Sequence, residues 1–218
     1  YELETELAYR NKNKLLEFVQ DILPKHVTCM YIRQAEALGL GHAVLCAQAA
    51  VGDNPFAVIL ADDLIDAAPG ALAQMMAAYR RSGNSVLGVE TVDPQQTGSY
   101  GIVEVDKEAG GQRIRSIVEK PHPDEAPSNL AVVGRYILTP RIFSLLTDLP
   151  RGAGGEIQLT DAIARLLQHE PVWAHAFDGV RYDCGSKLGY LEATVAYGLK
   201  HPEVGADFTA LLQRMAGK

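Results

Sequence analysis

The sequence predicts an α/β fold: a mixed, mainly parallel sheet with helices on both faces and a helical C-terminal tail. Three observations predict it. Strand-like and helix-like stretches alternate through the first ninety residues, the pattern of helix-covered parallel sheets. Three strand-like runs then follow one another with Gly or Pro loops and little helical pattern between them. Beyond residue 187 only helical patterns remain.

Each element has its own grounds. Leu3, Leu7, Leu15, Leu16 and Val19 recur at near-helical spacing over residues 1–20. "HVTCMYIRQ", residues 26–34, is β-rich after Pro24 and is expected to be a strand. "GHAVLCAQAAVG", 41–52, is Ala-rich and bounded by Gly, which predicts a helix; "PFAVILAD", 55–62, predicts a strand. Pro69 stands where a helix can begin, and "GALAQMMAAYRRSGN" follows with Gly83 at its end. "SVLGVETV", 85–92, is the next strand. "YGIVEVD", "RIRSIVEK" and "LAVVGRYIL" predict antiparallel or mixed strands appended to the sheet. "RIFSLL" and "EIQLTDAIARLLQHE" predict helices, "VWAHAF" a last strand, and "KLGYLEATVAYGLKH" and "GADFTALLQRM" terminal helices. Without repeats or a low-complexity linker, the expectation is one domain over 1–218, with 187–218 as its helical tail.

Composition narrows the function. The 218 residues are 47% hydrophobic and 22% charged, enough for a real core. A net charge of −7 argues against a broad nucleic-acid surface, which needs a basic stripe. A pocket for an anionic small molecule needs only a few local cations. No apolar stretch approaches the ~20 residues that span a bilayer, and no signal peptide is visible, though the sequence starts at Tyr1 rather than Met. Cys29, Cys46 and Cys184 are odd in number and form no C-x-x-C pair, so reduced thiols and a cytoplasmic protein are expected.

Four short stretches carry candidate chemistry. The apolar run Phe56–Leu60 ends in Asp62, Asp63 and Asp66. Ligands of open α/β sheets bind beyond the carboxyl ends of strands, and Mg²⁺ is held by one or two carboxylates plus substrate phosphates. A helix cap or solvated loop would use Asp equally well. Asp183 is similarly placed in "GVRYDCGSKLGY", before Gly185, and Lys187 opens a helix, where a cation suits the dipole only if an anion accompanies it. "VEKPHP" sets Glu119 and Lys120 side by side; both can serve one site only if the strand bends before Pro121. Solvent exposure would explain each of these cations too. In "RQAEALGLGH", Gly39 and Gly41 lead into a helix, a weak anion signal, and His42 reads as a capping or packing histidine.

Taken together, "RQAEALGLGHAV", "FAVILADDLID", "YGIVEVD", "IVEKP", "APSNLAVVGRYIL", "GAGGEIQLTDAI" and "YDCGSKLGYLEA" resemble the bacterial UTP–glucose-1-phosphate uridylyltransferases, or UDP-glucose pyrophosphorylases, along nearly the whole chain. The resemblance implies a Rossmann-like nucleotide-diphospho-sugar transferase fold. It implies a Mg²⁺-dependent reaction in which UTP and glucose 1-phosphate give UDP-glucose and pyrophosphate. It places the metal on Asp62 and Asp183, which with Lys120 form the catalytic set. Gln34 and Gly39 match the uracil contacts, and Gly101, Glu119 and Gly134 the sugar pocket. Lys120 matches the ligand of the sugar phosphate, with Lys187 a second phosphate ligand. A homo-oligomer, dimer or tetramer, is implied, with no nucleic-acid or membrane partner.

One departure stands out. The family opens with a G-x-G-T-R-x-x-P phosphate loop and a following Lys, and no such string occurs here. The sequence is therefore expected to be part of a longer chain, and these residues alone are expected not to transfer uridylyl groups. Three alternatives stay open: a non-catalytic sugar-nucleotide-binding remnant, a thymidylyltransferase making dTDP-glucose, and a Mg²⁺ phosphatase with an Asp nucleophile. The last usually needs an Asp-x-Asp pair, which Asp62-Asp63-Leu64 is not.

Overall fold

A computed structural model describes residues 2–108 and 111–217; the outermost residues of the expected domain, Tyr1 and Lys218, lie outside them. Contacts group the chain into two compact units, Tyr1–Arg33 and Gln34–Lys218, where the sequence reading had one domain over 1–218.

The first unit holds α1 (Glu2–Tyr9) and α2 (Asn13–Asp21), which pack on each other. The helical pattern breaks between them at Asn11, whose φ is 54°, a left-handed conformation that Asn tolerates better than most residues. The strand expected over 26–34 is not formed, and this stretch is irregular. Among the described residues no strand runs beside it, and β-propensity without a ladder partner does not hold a strand.

In the second unit, α3 (Leu40–Cys46) and α4 (Gln48–Val51) divide the expected helix at Ala47. Then come β1 (Phe56–Ile59), β2 (Asp63–Asp66), α5 (Ala71–Ser82) and β3 (Val86–Thr91). Gly83 closes α5 with a φ of 66°, and its N–H donates to the Tyr79 carbonyl. β4 (Gly101–Glu108) and β5 (Gly111–Glu119) pair antiparallel, and β6 (Leu130–Leu138) follows. The rest is α6 (Arg141–Thr147), α7 (Leu159–Leu166), β7 (Trp173–Ala176), β8 (Val180–Asp183), α8 (Lys187–Lys200) and α9 (Gly205–Ala216). α7 begins three residues after Glu156, the expected start. β2 and β8, which the sequence reading missed, form a two-stranded ribbon of their own.

The main sheet has the order β1-β6-β3-β7-β5-β4. Its parallel content differs from expectation. Among the described residues one pair is parallel, β3 with β7. Alternation of helix and strand through the first ninety residues did predict direction there, since β1 and β3 point the same way; β4, from the run read as antiparallel or mixed, and β7 share that direction. It could not predict neighbours. β6 slots antiparallel between β1 and β3.

This insertion creates the site. β1 pairs with residues 135–138 of β6, and Gly101 and Ile102 of β4 pair with Val132 and Ala131. The two partners diverge around Gly134, and a cleft opens there.

Both faces of the sheet are covered. Leu87 and Val89 on β3 and Leu138 on β6 join Val44, Phe143, Leu146, Ile163 and Leu166 from α3, α6 and α7 in the larger core. Phe143 stacks on Phe56 at 4.9 Å. Val86 and Ile137, one residue out of phase with these, turn to the other face and pack on Met75 of α5. No described helix is long and apolar enough to cross a membrane.

β7 carries a pH-sensitive group. His175 Nε2 is buried without a hydrogen-bond partner among the described residues. Burial, then the charge of Arg81, pushes the His175 pKa below its usual 6.5, with Asp178 opposing. The unfolded chain therefore binds a proton more readily than the folded one as pH falls through 6.5. The stability held at neutral pH is lost on acidification. We expect the urea midpoint to fall between pH 7 and pH 5, and His175→Asn to flatten that slope. An unchanged slope in the variant would exclude His175 as its source.

Candidate active site

The cleft at the split in the sheet has a volume of about 400 Å³. Its walls come from the end of β1, the ribbon, the start of β4, the end of β5, the middle of β6 and the segment leading into α7.

Asp62 lies in the turn between β1 and β2, and Asp183 ends β8. The ribbon register pairs Asp63 with Asp183, and the Cys184 N–H donates to the Asp62 carbonyl at 2.8 Å. Residues 121 apart in sequence are thereby clamped together. Gly185 measures the convergence: a Cβ there would lie 3.1 Å from Asp183 Oδ1 and 3.4 Å from Asp62 Oδ2. Asp183 is held in place. Its Oδ1 accepts from the Gly185 N–H at 3.0 Å and its Oδ2 from the Tyr100 hydroxyl at 3.2 Å.

The other two acids serve the protein. Asp63 is buried; its Oδ2 accepts from the Gly134 N–H at 2.8 Å and its Oδ1 pairs with Arg181 Nε. Asp66 pairs with Lys200 at the end of α8. Gly134 must lack a side chain, because a Cβ would fall 2.7 Å from Leu60 Cβ and closer still to the Asp63 carboxylate.

Arg181 and Tyr100 form the wall behind Asp183. The Arg181 side chain is 7% exposed and also approaches Glu90 at 3.4 Å and Asp183 at 3.9 Å. Its guanidinium lies over the Tyr100 ring, 5.2 Å from the centroid. Burial opposes its charge, but hydrogen bonds to Tyr100 and Asp63 and the charge of Asp63 prevail and hold its pKa above the usual value. Arg135, lowered by burial and by Arg181, donates to the carbonyls of Leu60, Asp63 and Gly134 and so fixes the floor. The Tyr136 phenol beside it stays neutral, pushed up by burial and then by Glu119 and Asp63.

Glu119 and Lys120 meet the condition the sequence set for them. Lys120 has a φ of 45°, although it precedes a proline. That left-handed turn bends the chain so that neighbouring residues both line the cleft, with Lys120 Nζ 3.6 Å from Glu119 Oε1. Such a conformation costs on the order of 1–3 kcal/mol and clusters at functional sites. Its N–H is anchored on the Tyr100 carbonyl at 2.9 Å. Gly101, paired with Glu119 across β4 and β5, completes this wall with Thr160.

Gln34 and Gly39 are bonded to each other, Gln34 Nε2 donating to the Gly39 carbonyl at 3.1 Å, and neither is among the lining residues of the cleft. Leu40 and Glu156 next to them line the cleft. The loop is fastened to the segment before α7 by Gly41 N–H to Ile157 O at 2.9 Å and Ile157 N–H to Leu38 O at 2.8 Å. Lys187 is not among the lining residues; it lies in a shallow depression with Cys184, Gly185 and Tyr190.

The donor set suits a small hard cation. Two carboxylates flank one point, and among the described residues no group of three or more His, Cys, Asp or Glu is placed to hold a metal ion. A divalent cation there would take the rest of its shell from water and ligand oxygens, as Mg²⁺ does.

Known proteins resemble this chain in sequence and fold. The nucleotidyl transferase sequence family matches residues 3–199. The chain belongs to the nucleotidyl transferase family. UTP–glucose-1-phosphate uridylyltransferase of Escherichia coli strain K12 is 46% identical over 226 residues, covering 100% of this chain and 74% of the relative. Its Staphylococcus epidermidis counterpart is 44% identical, covering 98% and 74%. Among solved structures, a UTP-bound UDP-glucose pyrophosphorylase from Acinetobacter baumannii superposes with a TM-score of 0.86 at 44% identity, covering 97% of this chain and 74% of that one. In this nucleotidyl transferase, Asp62, Gly101, Glu119, Lys120, Gly134 and Asp183 line one cleft, whereas Gln34, Gly39 and Lys187, named with them from the sequence, do not. Sequence reasoning named no role for two further lining residues, Tyr100 and Arg181. The available signal was the spacing of Arg181 and Asp183, two apart and so on one face of a strand.

Proposed function

We propose that this cleft transfers a uridylyl group from UTP to glucose 1-phosphate, giving UDP-glucose and pyrophosphate. The observation that carries the reading is the convergence of Asp62 and Asp183 on one side of a cleft whose other side holds Glu119 and Lys120. The chemistry is an in-line displacement. A phosphate oxygen of glucose 1-phosphate forms a bond to the α-phosphorus of UTP while the bond to the pyrophosphate oxygen breaks. The attacking oxygen carries no proton at neutral pH, so no general base is required, and positioning and charge neutralisation dominate.

Lys120 neutralises the sugar phosphate and Glu119 accepts hydrogen bonds from glucose hydroxyls, with Gly101 and Gly134 shaping the pocket. Gln34 and Gly39 hold the uracil ring. Asp62 and Asp183 hold Mg²⁺, which when bound supplies positive charge to the crowded phosphates. The reading carries with it a cytoplasmic homo-oligomer, dimer or tetramer.

The test is pyrophosphate release by the full-length protein with a panel of nucleotides and sugar phosphates. UTP with glucose 1-phosphate should be the preferred pair; preference for dTTP would overturn the assignment. Within that assay, Glu119→Gln should raise KM for glucose 1-phosphate about tenfold, the value of a charge-assisted hydrogen bond, with little change for UTP. Lys120→Ala should act in the same direction through the phosphate. A rise in the UTP requirement alone would remove "VEKP" from the sugar side.

A further inference from the structure

The amide of Gln34 is oriented by its neighbours. The Gly39 carbonyl can only accept, so the Gln34 atom 3.1 Å from it is the NH₂ group. His42 Nδ1 lies 2.9 Å from the same Nε2. Both amide hydrogens are donors, so Nδ1 must accept the second one and carries no proton. The proton of the neutral ring then sits on Nε2, directed at Cys46 Sγ, a weak acceptor 3.9 Å away. With both N–H groups of Gln34 in use, its Oε1 is left without a protein partner among the described residues.

We propose that His42 is a positioning residue that fixes base selectivity by locking Gln34 with Oε1 as the group offered to the nucleotide. This rests on the reading that Gln34 meets the base. A lone acceptor suits a pyrimidine whose N3 bears a hydrogen, as in uracil or thymine. Set against N3 it repels cytosine, where N3 is itself an acceptor. An amide free to turn over would present NH₂ and accommodate cytosine. The wild-type site therefore rejects CTP because the amide cannot flip. The lock is rigid because α3, which carries His42 and Cys46, is tied to the segment before α7 through Gly41 and Ile157.

Two substitutions separate the lock from mere packing. His42→Leu removes the acceptor at Nδ1. His42→Asn keeps one, since Asn Oδ1 occupies nearly the place of Nδ1. Equilibrium affinities for UTP and CTP, measured by titration calorimetry on the full-length protein, give the readout. In His42→Leu the UTP-over-CTP ratio should fall about tenfold, through weaker UTP and stronger CTP binding, the scale of one hydrogen bond gained and one repulsion removed. His42→Asn should restore most of the ratio. A lowered affinity for both nucleotides with the ratio intact in His42→Leu would overturn the lock, as would failure of His42→Asn to recover the ratio. Should the parent protein bind CTP as well as UTP, the uracil-binding reading beneath the inference fails instead.

Discussion

Asp62→Asn should leave the protein folded and lower turnover by roughly 10²–10³-fold, the scale for losing a fixed charge contact in a phosphoryl-type transition state. The change is nearly isosteric. The Asp62 carboxylate has no hydrogen bond or ion pair among the described residues, and the one contact that depends on this position, Cys184 N–H to the Asp62 carbonyl, is a backbone bond that Asn retains. What disappears is one negative charge beside Asp183, where on the proposed reading a divalent cation would meet the phosphates of UTP and glucose 1-phosphate. The neighbouring Asp63→Asn is the contrast. It weakens a buried pair with Arg181 and should lower the unfolding midpoint, whatever it does to turnover. The measurement is kcat at saturating Mg²⁺ beside a thermal unfolding curve for both variants. Asp62→Asn with kcat within a few-fold of the parent would take Asp62 out of the site.

That contrast also shows how far the sequence could be read. "LADDLID" presents three acids, and nothing in their spacing tells a ligand from a brace. The difference lies in β2, a strand of four residues that among the described residues pairs with β8 alone. Its partner lies more than a hundred residues away, and short ribbons of this kind leave almost no periodic signal. Once the ribbon is formed, pleating sends Asp63 inward to Arg181 and Gly134, while the Asp62 carboxylate, still in the turn, has no partner among the described residues. The expected strand over 26–34 failed for the converse reason: it has β-rich residues and no ladder partner among the described ones. Direction of the main strands was legible from alternating patterns, but the insertion of β6 between β1 and β3 was not, because neighbour order depends on tertiary packing. The bend at Lys120 was anticipated only as a condition, and Pro121 alone does not dictate a positive φ at the residue before it.

Arg181→Met should be the most destabilising single change at the site, by about 3–5 kcal/mol, the usual cost of removing one partner of a buried ion pair. For a chain of this size that is a fall in melting temperature on the order of 10 °C. The partner that matters is Asp63. Its side chain is 9% exposed, whereas Glu90 and Asp183 are 36% and 38% exposed and can be solvated when the guanidinium is gone. Met fills most of the arginine stem, so the loss measured is mainly the stranded charge and not a cavity. Arg135 is a poor substitute, because three of its five N–H groups are committed to backbone carbonyls that fix its place. Neutralising the stranded carboxylate should therefore rescue much of the loss. Asp63→Asn keeps an acceptor for the Gly134 N–H and carries no charge, so the double variant Asp63→Asn with Arg181→Met should be more stable than Arg181→Met alone. A double-mutant cycle by urea unfolding gives the coupling directly. Additive losses would mean that Arg181 acts through its stacking on Tyr100 and its contacts with Glu90 and Asp183, and that the Asp63 pair does not hold the ribbon against the sheet.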